Sequence, residues 1–185
     1  SFFIMFTIGI TKGRWNSMLT ALQQFKDDYD KNQPMWRILP EFCQKYPKYE
    51  QMGLADLCQH VHALYAKYDI ARLTTDMYLS DLTPAMKPSD AYAHIALRQT
   101  ERVEIDKLEG RITVGLVTPY PPGIPLLIPG EVFNKKIVDY LKFSREFNSK
   151  CPGFETDIHG LVEIEGEDGK MHYYADCVAN PEPET

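Results

Sequence analysis

Three polar side chains alternate along residues 155–159, where they could carry out acid–base chemistry. Glu155, Asp157 and His159 are separated by Thr156 and Ile158. In an extended backbone alternate side chains point to the same face, so two carboxylates and an imidazole would lie together. That arrangement suits proton transfer or metal binding. The alternative, which we favour, is a hydrogen-bonded network that holds the loop before the next strand pair.

A second segment, residues 118–131, is rich in conformationally restricted residues. Its five prolines and two glycines are Pro119, Pro121, Pro122, Pro125, Pro129, Gly123 and Gly130. Two overlapping PxxP frames could form an extended ligand for an SH3-type groove. Apolar residues flank both frames and no basic residue lies beside them. This composition favours a rigid, buried loop whose prolines determine its shape.

Other polar clusters give weaker signals. An anion could bind near the start of a helix at four residues, Arg72, Thr74, Thr75 and Asp76. His60 and His62 lie two apart on a predicted helix and point about 200° apart around its axis, so they cannot chelate one metal. The sequence contains no P-loop, G-x-G-x-x-G turn or G-x-S-x-G elbow.

Cysteine spacing and charge exclude several classes of protein. The four cysteines have no zinc-site spacing, and we expect reduced, mostly buried thiols in a cytoplasmic protein: Cys43, Cys58, Cys151 and Cys177. The net charge of −6 is confined to residues 163–185, which contain seven acidic residues and one lysine. No basic stripe exists, so we expect no nucleic-acid partner. The acidic end predicts a solvated edge or tail, with an electrostatic partner site as the alternative.

No membrane segment is predicted, because no apolar run reaches about 18 residues. No stretch has the features of a secretory leader. Residues 2–6 have the pattern of a buried strand. We expect the chain to be a piece of a longer polypeptide whose upstream part covers this strand and the first helix.

Hydrophobic periodicity predicts four helices. An apolar stripe from Trp15 to Tyr29 predicts a helix that starts after Thr11, and a second stripe predicts a helix after Gly53. Residues 89–102 are predicted to be helical, with Ser89 as the cap. Residues 135–149 form the fourth predicted helix, which Asn134 caps.

The strand signals lie in the second half of the chain. Residues 111–118 are rich in β-branched side chains and predict a strand with Ile112, Val114 and Leu116 on one side. Residues 161–165 and 171–178 predict a hairpin around a turn at residues 166–169. The pattern predicts an α+β fold with a domain boundary near the proline-punctuated connector that begins at residue 33.

Two long motifs resemble those of a known family. Residues 118–131, Thr-Pro-Tyr-Pro-Pro-Gly-Ile-Pro-Leu-Leu-Ile-Pro-Gly-Glu, resemble the C-terminal domain of the bacterial ornithine/lysine/arginine decarboxylases. Residues 152–160, Pro-Gly-Phe-Glu-Thr-Asp-Ile-His-Gly, resemble that family's second C-terminal signature. Residues 71–80 and 84–90 look more like the acid-inducible arginine decarboxylases than like the lysine or ornithine enzymes.

The resemblance implies the fold and the domain organisation. The family consists of pyridoxal-phosphate enzymes of the aspartate-aminotransferase-like fold. Residues 1–32 are expected to be the end of an aminotransferase-like small domain, and residues 33–185 a C-terminal α+β domain with a terminal β-hairpin. The expected partners are the rest of the same polypeptide and further copies of it, as a homodimer and a pentamer of dimers, without nucleic acid or membrane.

The resemblance also implies which chemistry lies outside this chain. The family's Schiff-base lysine follows a histidine in a Ser/Thr-rich motif upstream, and no His-Lys dipeptide occurs here. We therefore expect no catalytic, pyridoxal-phosphate-binding or metal-binding residue in the chain. The parent is expected to convert L-arginine to agmatine and CO2 in acid resistance. The alternatives are a lysine or ornithine decarboxylase and a stand-alone protein-interaction module.

We make one further hypothesis about residues 118–131, the proline-rich segment. Residues 124–128 are expected to anchor in the core, while residues 120–123 stand out as a rigid lip. Gly123 would allow a close backbone approach or a positive φ. Tyr120 and Glu131 would then face the route of a cationic substrate at the mouth of the active-site cleft. The alternative is a purely structural bridge. Glu155, Asp157 and His159 have the same two interpretations, a place at the mouth of the active site or a structural role.

Overall fold

The computed structural model describes residues 4–120 and 123–179. The chain divides into two compact units, residues 1–63 and 64–185, and the division falls within helix α4 (Leu54–Lys67). The family-based boundary at residue 33 stays a prediction, because a compact unit and a family domain are different definitions.

The first unit begins with a long helix whose apolar face is exposed. Helix α1 (Lys12–Asp30) starts where predicted, and the Thr11 hydroxyl accepts a hydrogen bond from the Arg14 N–H. All of α1 is described, and none of its residues is buried. Trp15 and Phe25 are 42% and 54% exposed. Of the strand predicted at residues 2–6, residues 2 and 3 lie outside the described residues and residues 4–6 are not in a strand.

Short helices form the remainder of this unit. Helices α2 (Met35–Ile38) and α3 (Pro40–Lys45) and a 3₁₀ turn (Pro47–Tyr49) surround the fully buried Tyr49. The Asn32 side-chain oxygen accepts hydrogen bonds from the first N–H groups of α4. A Cβ at Gly53 would lie 2.0 Å from that oxygen, so glycine is required for this cap.

Among its described residues, the second unit contains three α-helices in addition to the end of α4. Helices α5 (Ile70–Leu79), α6 (Pro88–Ala96) and α7 (Lys135–Lys150) are separated by irregular segments. The Asn134 side chain accepts a hydrogen bond from the Ile137 N–H, which confirms the predicted cap of α7. Helix α7 is buried along most of its length, as its broad apolar pattern predicts.

The strands form two antiparallel sheets. Strands β1 (Thr100–Glu104), β4 (Leu161–Glu165) and β5 (Met171–Val178) form a sheet of order β1-β5-β4. The β4–β5 pairing confirms the predicted hairpin. Strands β2 (Thr118–Tyr120) and β3 (Asp157–His159) form the second sheet.

The strand predicted at residues 111–118 is wrong in extent. Only isolated bridges occur before β2 begins at Thr118. The Thr113 hydroxyl donates to the Gly115 carbonyl and accepts from the Gly115 N–H, which bends the chain there. Val114 is therefore buried whereas Leu116 is 51% exposed, so the two do not share one side.

The helix predicted at residues 89–102 is too long and has a different cap. Helix α6 ends at Ala96, and Arg98 has a φ of 57° that stops it. Residues 100–104 instead pair with β5, a distant segment that local periodicity cannot reveal. Lys87 is the N-cap and Pro88 the first helical residue, because proline needs no N–H partner there.

Two further features are the state of the cysteines and the apolar character of the helices. The four cysteines are thiols, and three of them are buried. No helix within residues 4–120 and 123–179 has the length and apolar character needed to span a bilayer.

Candidate functional site

The β2–β3 sheet brings three of the predicted site residues together. Tyr120 lies directly opposite Asp157 in the antiparallel register, and His159 lies opposite Thr118. The centroids of the Tyr120 and His159 rings are 4.5 Å apart, and His159 Nε2 is 2.9 Å from Asp157 Oδ2. We call Tyr120, Asp157 and His159 the ring cluster. Its side chains are exposed to solvent.

Gly123 lies against this cluster. Its φ is +82°, and its N–H donates to the Pro119 carbonyl at 2.8 Å. A Cβ at this position would lie 2.9 Å from Tyr120 Cε1. The tyrosine ring therefore lies against the backbone of Gly123, where a side chain would not fit. Pro121 and Pro122 lie outside the described residues, so both PxxP frames stay predictions.

Glu131 and Glu155 are bonded to their own loops. The Glu131 carboxylate accepts a hydrogen bond from the Ile128 N–H at 2.8 Å, and the Glu155 carboxylate accepts one from the Gly153 N–H at 2.7 Å. The predicted row of three groups therefore yields one bonded pair, Asp157 and His159. Of the predicted anchor, Leu126 and Leu127 are buried, whereas Ile124 and Ile128 are about half exposed.

Asn148 on α7 positions this region, and the sequence analysis missed it. Its side-chain oxygen accepts a hydrogen bond from the Thr156 N–H at 2.9 Å, and its amide nitrogen donates to the Thr156 carbonyl at 3.1 Å. The amide nitrogen also lies 3.5 Å from the Tyr173 hydroxyl. Asn148 is 8% exposed. The sequence did contain a signal for this role, because Asn148 is a polar residue on a helix that is apolar over more than one face.

A cleft of about 600 Å³ lies beside α5 and α7 and is lined by charged side chains of both signs. Glu146 accepts hydrogen bonds from Lys150 at 2.6 Å and from Lys67 at 2.8 Å, and also from the Tyr68 hydroxyl. The bonds from Lys150, Lys67 and Tyr68 lower the pKa of Glu146 to about 2. Glu146 is therefore a fixed anion at neutral pH.

The predicted anion site at residues 72–76 faces the same cleft in part. Asp76 accepts from Lys136 at 3.0 Å and pairs with Arg72 at 3.5 Å. The Thr74 and Thr75 hydroxyls donate to carbonyls of α5 itself. These bonds direct the hydroxyls at the helix backbone and not at a shared anion, so the four residues do not form the predicted site.

Cofactor and metal chemistry require donors that this part of the chain does not assemble. Within the described ranges, no three His, Cys, Asp or Glu side chains converge where they could hold a metal ion. No lysine among residues 4–120 and 123–179 is buried. An imine with pyridoxal phosphate needs a lysine that can lose its proton, which burial favours. The lysines present therefore do not fit that role.

Fold and motifs together identify the class of protein. The family model described as "Orn/Lys/Arg decarboxylase, C-terminal domain" matches residues 71–179. The matched range includes α5, the proline-rich segment, the ring cluster and both sheets. The chain belongs to this family.

Individual relatives give a finer comparison. The chain is 42% identical over 182 residues to a lysine decarboxylase of Pseudomonas aeruginosa, covering 96% of this chain and 24% of the relative. It is 34% identical to the biodegradative arginine decarboxylase of Escherichia coli, covering 88% of this chain and 22% of the relative. The chain thus spans about a quarter of the length of these relatives.

Solved structures agree with the family. The structure of lysine decarboxylase A from Pseudomonas aeruginosa matches with a TM-score of 0.85 at 41% identity, over 94% of this chain and 24% of that one. The Escherichia coli constitutive lysine decarboxylase matches with a TM-score of 0.81 at 33% identity, over 95% and 25%. These matches confirm the α+β fold class. The expectation that arginine decarboxylases are the nearest members is corrected, because a lysine decarboxylase is more similar.

Proposed function

We propose that this chain is the C-terminal part of a pyridoxal-phosphate-dependent decarboxylase of a basic amino acid, with lysine as the preferred substrate. The observation that carries the proposal is the 42% identity to a lysine decarboxylase over 96% of the chain. Decarboxylation of a basic amino acid releases CO2 and leaves an amine product. The cofactor supplies the electron sink for that step when bound.

The cofactor and its lysine are proposed to lie in the rest of the polypeptide. This chain contributes a packed domain whose sheets and α7 hold residues 123–131 and the ring cluster in place. Cytoplasmic location and assembly as a dimer and a pentamer of dimers rest on the family resemblance alone. They belong to the same proposal.

Arginine is the second candidate substrate, and residues 71–90 are the feature that favours it. In the structure, several side chains of this segment have local structural partners. Asp76 binds Lys136, and Thr74 and Thr75 bond to the backbone of α5. The identity of a side chain with a structural partner depends on packing. It therefore does not indicate which substrate the enzyme prefers. The higher similarity to a lysine enzyme therefore carries more weight.

We expect the full-length enzyme to have its highest kcat/KM with lysine. Substrates that differ by a methylene or a guanidinium group are separated by about 10-fold or more when a site bonds the terminal group. The measurement is kcat/KM for lysine, arginine and ornithine under one set of conditions. A highest value for arginine would overturn the lysine proposal and support the prediction from residues 71–90.

We also propose that the ring cluster lies at the mouth of the active-site cleft of the parent enzyme. The exposed Tyr120 ring, held by Gly123 and His159, is a rigid surface of the kind that can border a substrate route. The Asp157 carboxylate beside it would attract a cationic substrate. Glu131 stays a predicted residue of this route, and its carboxylate also accepts a hydrogen bond from the Ile128 N–H.

Removing the Tyr120 hydroxyl tests this position. Tyr120→Phe in the full-length enzyme is expected to lower kcat/KM by about 3- to 10-fold, the value of one hydrogen bond, without changing Tm. Tyr92→Phe is the matched control, because Tyr92 is 65% exposed on α6. An unchanged kcat/KM in the Tyr120 variant would leave the cluster with a structural role only.

A further inference from the structure

His172 lies between two carboxylates that belong to different elements. Its Nδ1 is 3.1 Å from Glu104 Oε1, and its Nε2 is 3.2 Å from Asp168 Oδ1. Glu104 is the last residue of β1, and Asp168 lies in the turn that joins β4 to β5. One imidazole ring thus links the end of an edge strand to the tip of the neighbouring hairpin.

The strand register explains why the ring reaches both groups. His172 alternates along β5 with the buried Tyr173, so it lies on the opposite, more exposed face. Glu104 pairs with Tyr174 and is therefore a diagonal neighbour of His172 on that face. A Cβ at Gly166 would lie 2.8 Å from His172 Cδ2 and Nε2. The glycine leaves room for the ring to lie over the turn.

The protonation state of the ring determines how many of these contacts are favourable. A neutral imidazole has one N–H, so it can donate to Glu104 or to Asp168 but not to both. Its other nitrogen would then present a lone pair to a carboxylate. The protonated ring donates from both nitrogens, and both bonds are charge-assisted.

We propose that His172 is a pH-sensitive clamp that fastens the turn of residues 166–170 to the end of β1 when its ring is protonated. On deprotonation one contact is lost. The Asp168 contact is the weaker of the two, because the Asp168 side chain is 46% exposed on a turn whereas that of Glu104 is 29% exposed on a strand. The turn is the element that loosens.

The surrounding charges are of both signs. Lys170 Nζ lies 3.7 Å from Asp168. On α7, Arg145 pairs with Asp106, and the Arg145 charge also acts on Glu104. Further along the face Arg102 pairs with Asp176 at 3.0 Å. Strand β4 presents apolar side chains to this face, Val162 and Ile164. Glu104 and Asp168 are therefore the carboxylates in contact with the ring.

The direction of the effect follows from these contacts. The hydrogen bonds from the ring to Glu104 and then to Asp168 raise the pKa of His172 above its ordinary 6.5. A raised pKa in the folded state means that the clamp stabilises the fold fully below the ordinary pKa. The contribution is lost as pH rises through the raised pKa. The turn is closed in acid and looser in base.

The test combines a titration with hydrogen exchange on the 21.3 kDa chain. The His172 ring Cε1–H resonance is expected to titrate with a midpoint above 6.5. The Gly166 and Lys170 amides, which are bonded within the turn at 2.8 and 3.2 Å, report its closure. Their exchange, corrected for intrinsic rates, is expected to rise about 3-fold or more between about pH 5 and pH 8.

Two variants separate the clamp from a general effect of pH. Glu104→Gln lets a neutral ring accept from the amide while it donates to Asp168, so the midpoint is expected to fall. His62→Gln, at an exposed position on α4, is the control and should leave turn exchange unchanged. A His172 midpoint at or below the ordinary value, or turn exchange independent of pH in the wild-type chain, would overturn the proposal.

Discussion

Replacing Gly160 with alanine is expected to destabilise the chain by more than about 4 kcal/mol, a large part of the stability of a typical domain. Gly160 joins β3 to β4 and has a φ of +94°. An added Cβ would lie 1.8 Å from the Leu116 carbonyl oxygen and 2.9 Å from its carbon. Both obstacles are backbone atoms, so no side-chain rotation relieves the overlap. The β2–β3 sheet must separate or the chain must rearrange.

Gly169→Ala is the matched control for this change. Gly169 has a φ of +70° and no atom within 4 Å of an added Cβ. It therefore carries only the backbone penalty of the left-handed region, about 1 kcal/mol. Urea denaturation followed by far-UV circular dichroism gives both free energies of unfolding, and near-UV circular dichroism shows whether Gly160→Ala retains fixed packing. Equal losses in the two variants would contradict the close contact with Leu116.

Asn148→Ala is expected to cost about 2–3 kcal/mol, because it leaves both backbone groups of Thr156 without their partner at a part-buried position. The Asn148 side chain bonds both the N–H and the carbonyl of Thr156. The loss should also loosen the loop that leads into β3. The measurement is the free energy of unfolding by urea, with exchange of the Thr156 amide as a local readout.

An isosteric variant distinguishes lost hydrogen bonds from lost volume. Asn148→Asp keeps the shape and the acceptor for the Thr156 N–H but places an oxygen against the Thr156 carbonyl. It is expected to be destabilising by a similar amount at neutral pH. Ser149→Ala, at the exposed neighbouring position, should stay within about 0.5 kcal/mol. Wild-type stability in both Asn148 variants would show that the bridge to Thr156 contributes nothing.

Local periodicity was sufficient for the elements that bury one face along their own length. The start of α1 at Thr11, the Asn134 cap of α7 and the hairpin around residues 166–169 were all predictable. Each depends on residues within one or two turns of the chain, where spacing and capping chemistry are visible. The family was predictable as well, because two long motifs in the correct order are specific. The expected closeness to the arginine enzymes was wrong, because a lysine decarboxylase is more similar to this chain than the arginine decarboxylase is.

Tertiary contacts decided what local patterns could not. Strand β1 exists because β5 pairs with residues 100–104, although the preceding pattern reads as a continued helix. In the candidate site, the alternation of residues 155–159 correctly grouped Asp157 with His159. The register that adds Tyr120 is set by a strand some forty residues earlier.

The roles of individual side chains depend on the same long-range geometry. In the sequence alone, Gly160, Asn148 and His172 are single residues for which no partner is visible. Leu116, Thr156 and Glu104 give them their roles, and each partner comes from another segment of the chain. The resemblance of residues 118–131 and 152–160 to known motifs therefore indicated the family, and hydrophobic spacing predicted the main helices and the terminal hairpin. The close approach at Gly160, the Asn148 bridge and the His172 clamp were decided by packing, because hydrogen bonds and steric contacts act between neighbours in space.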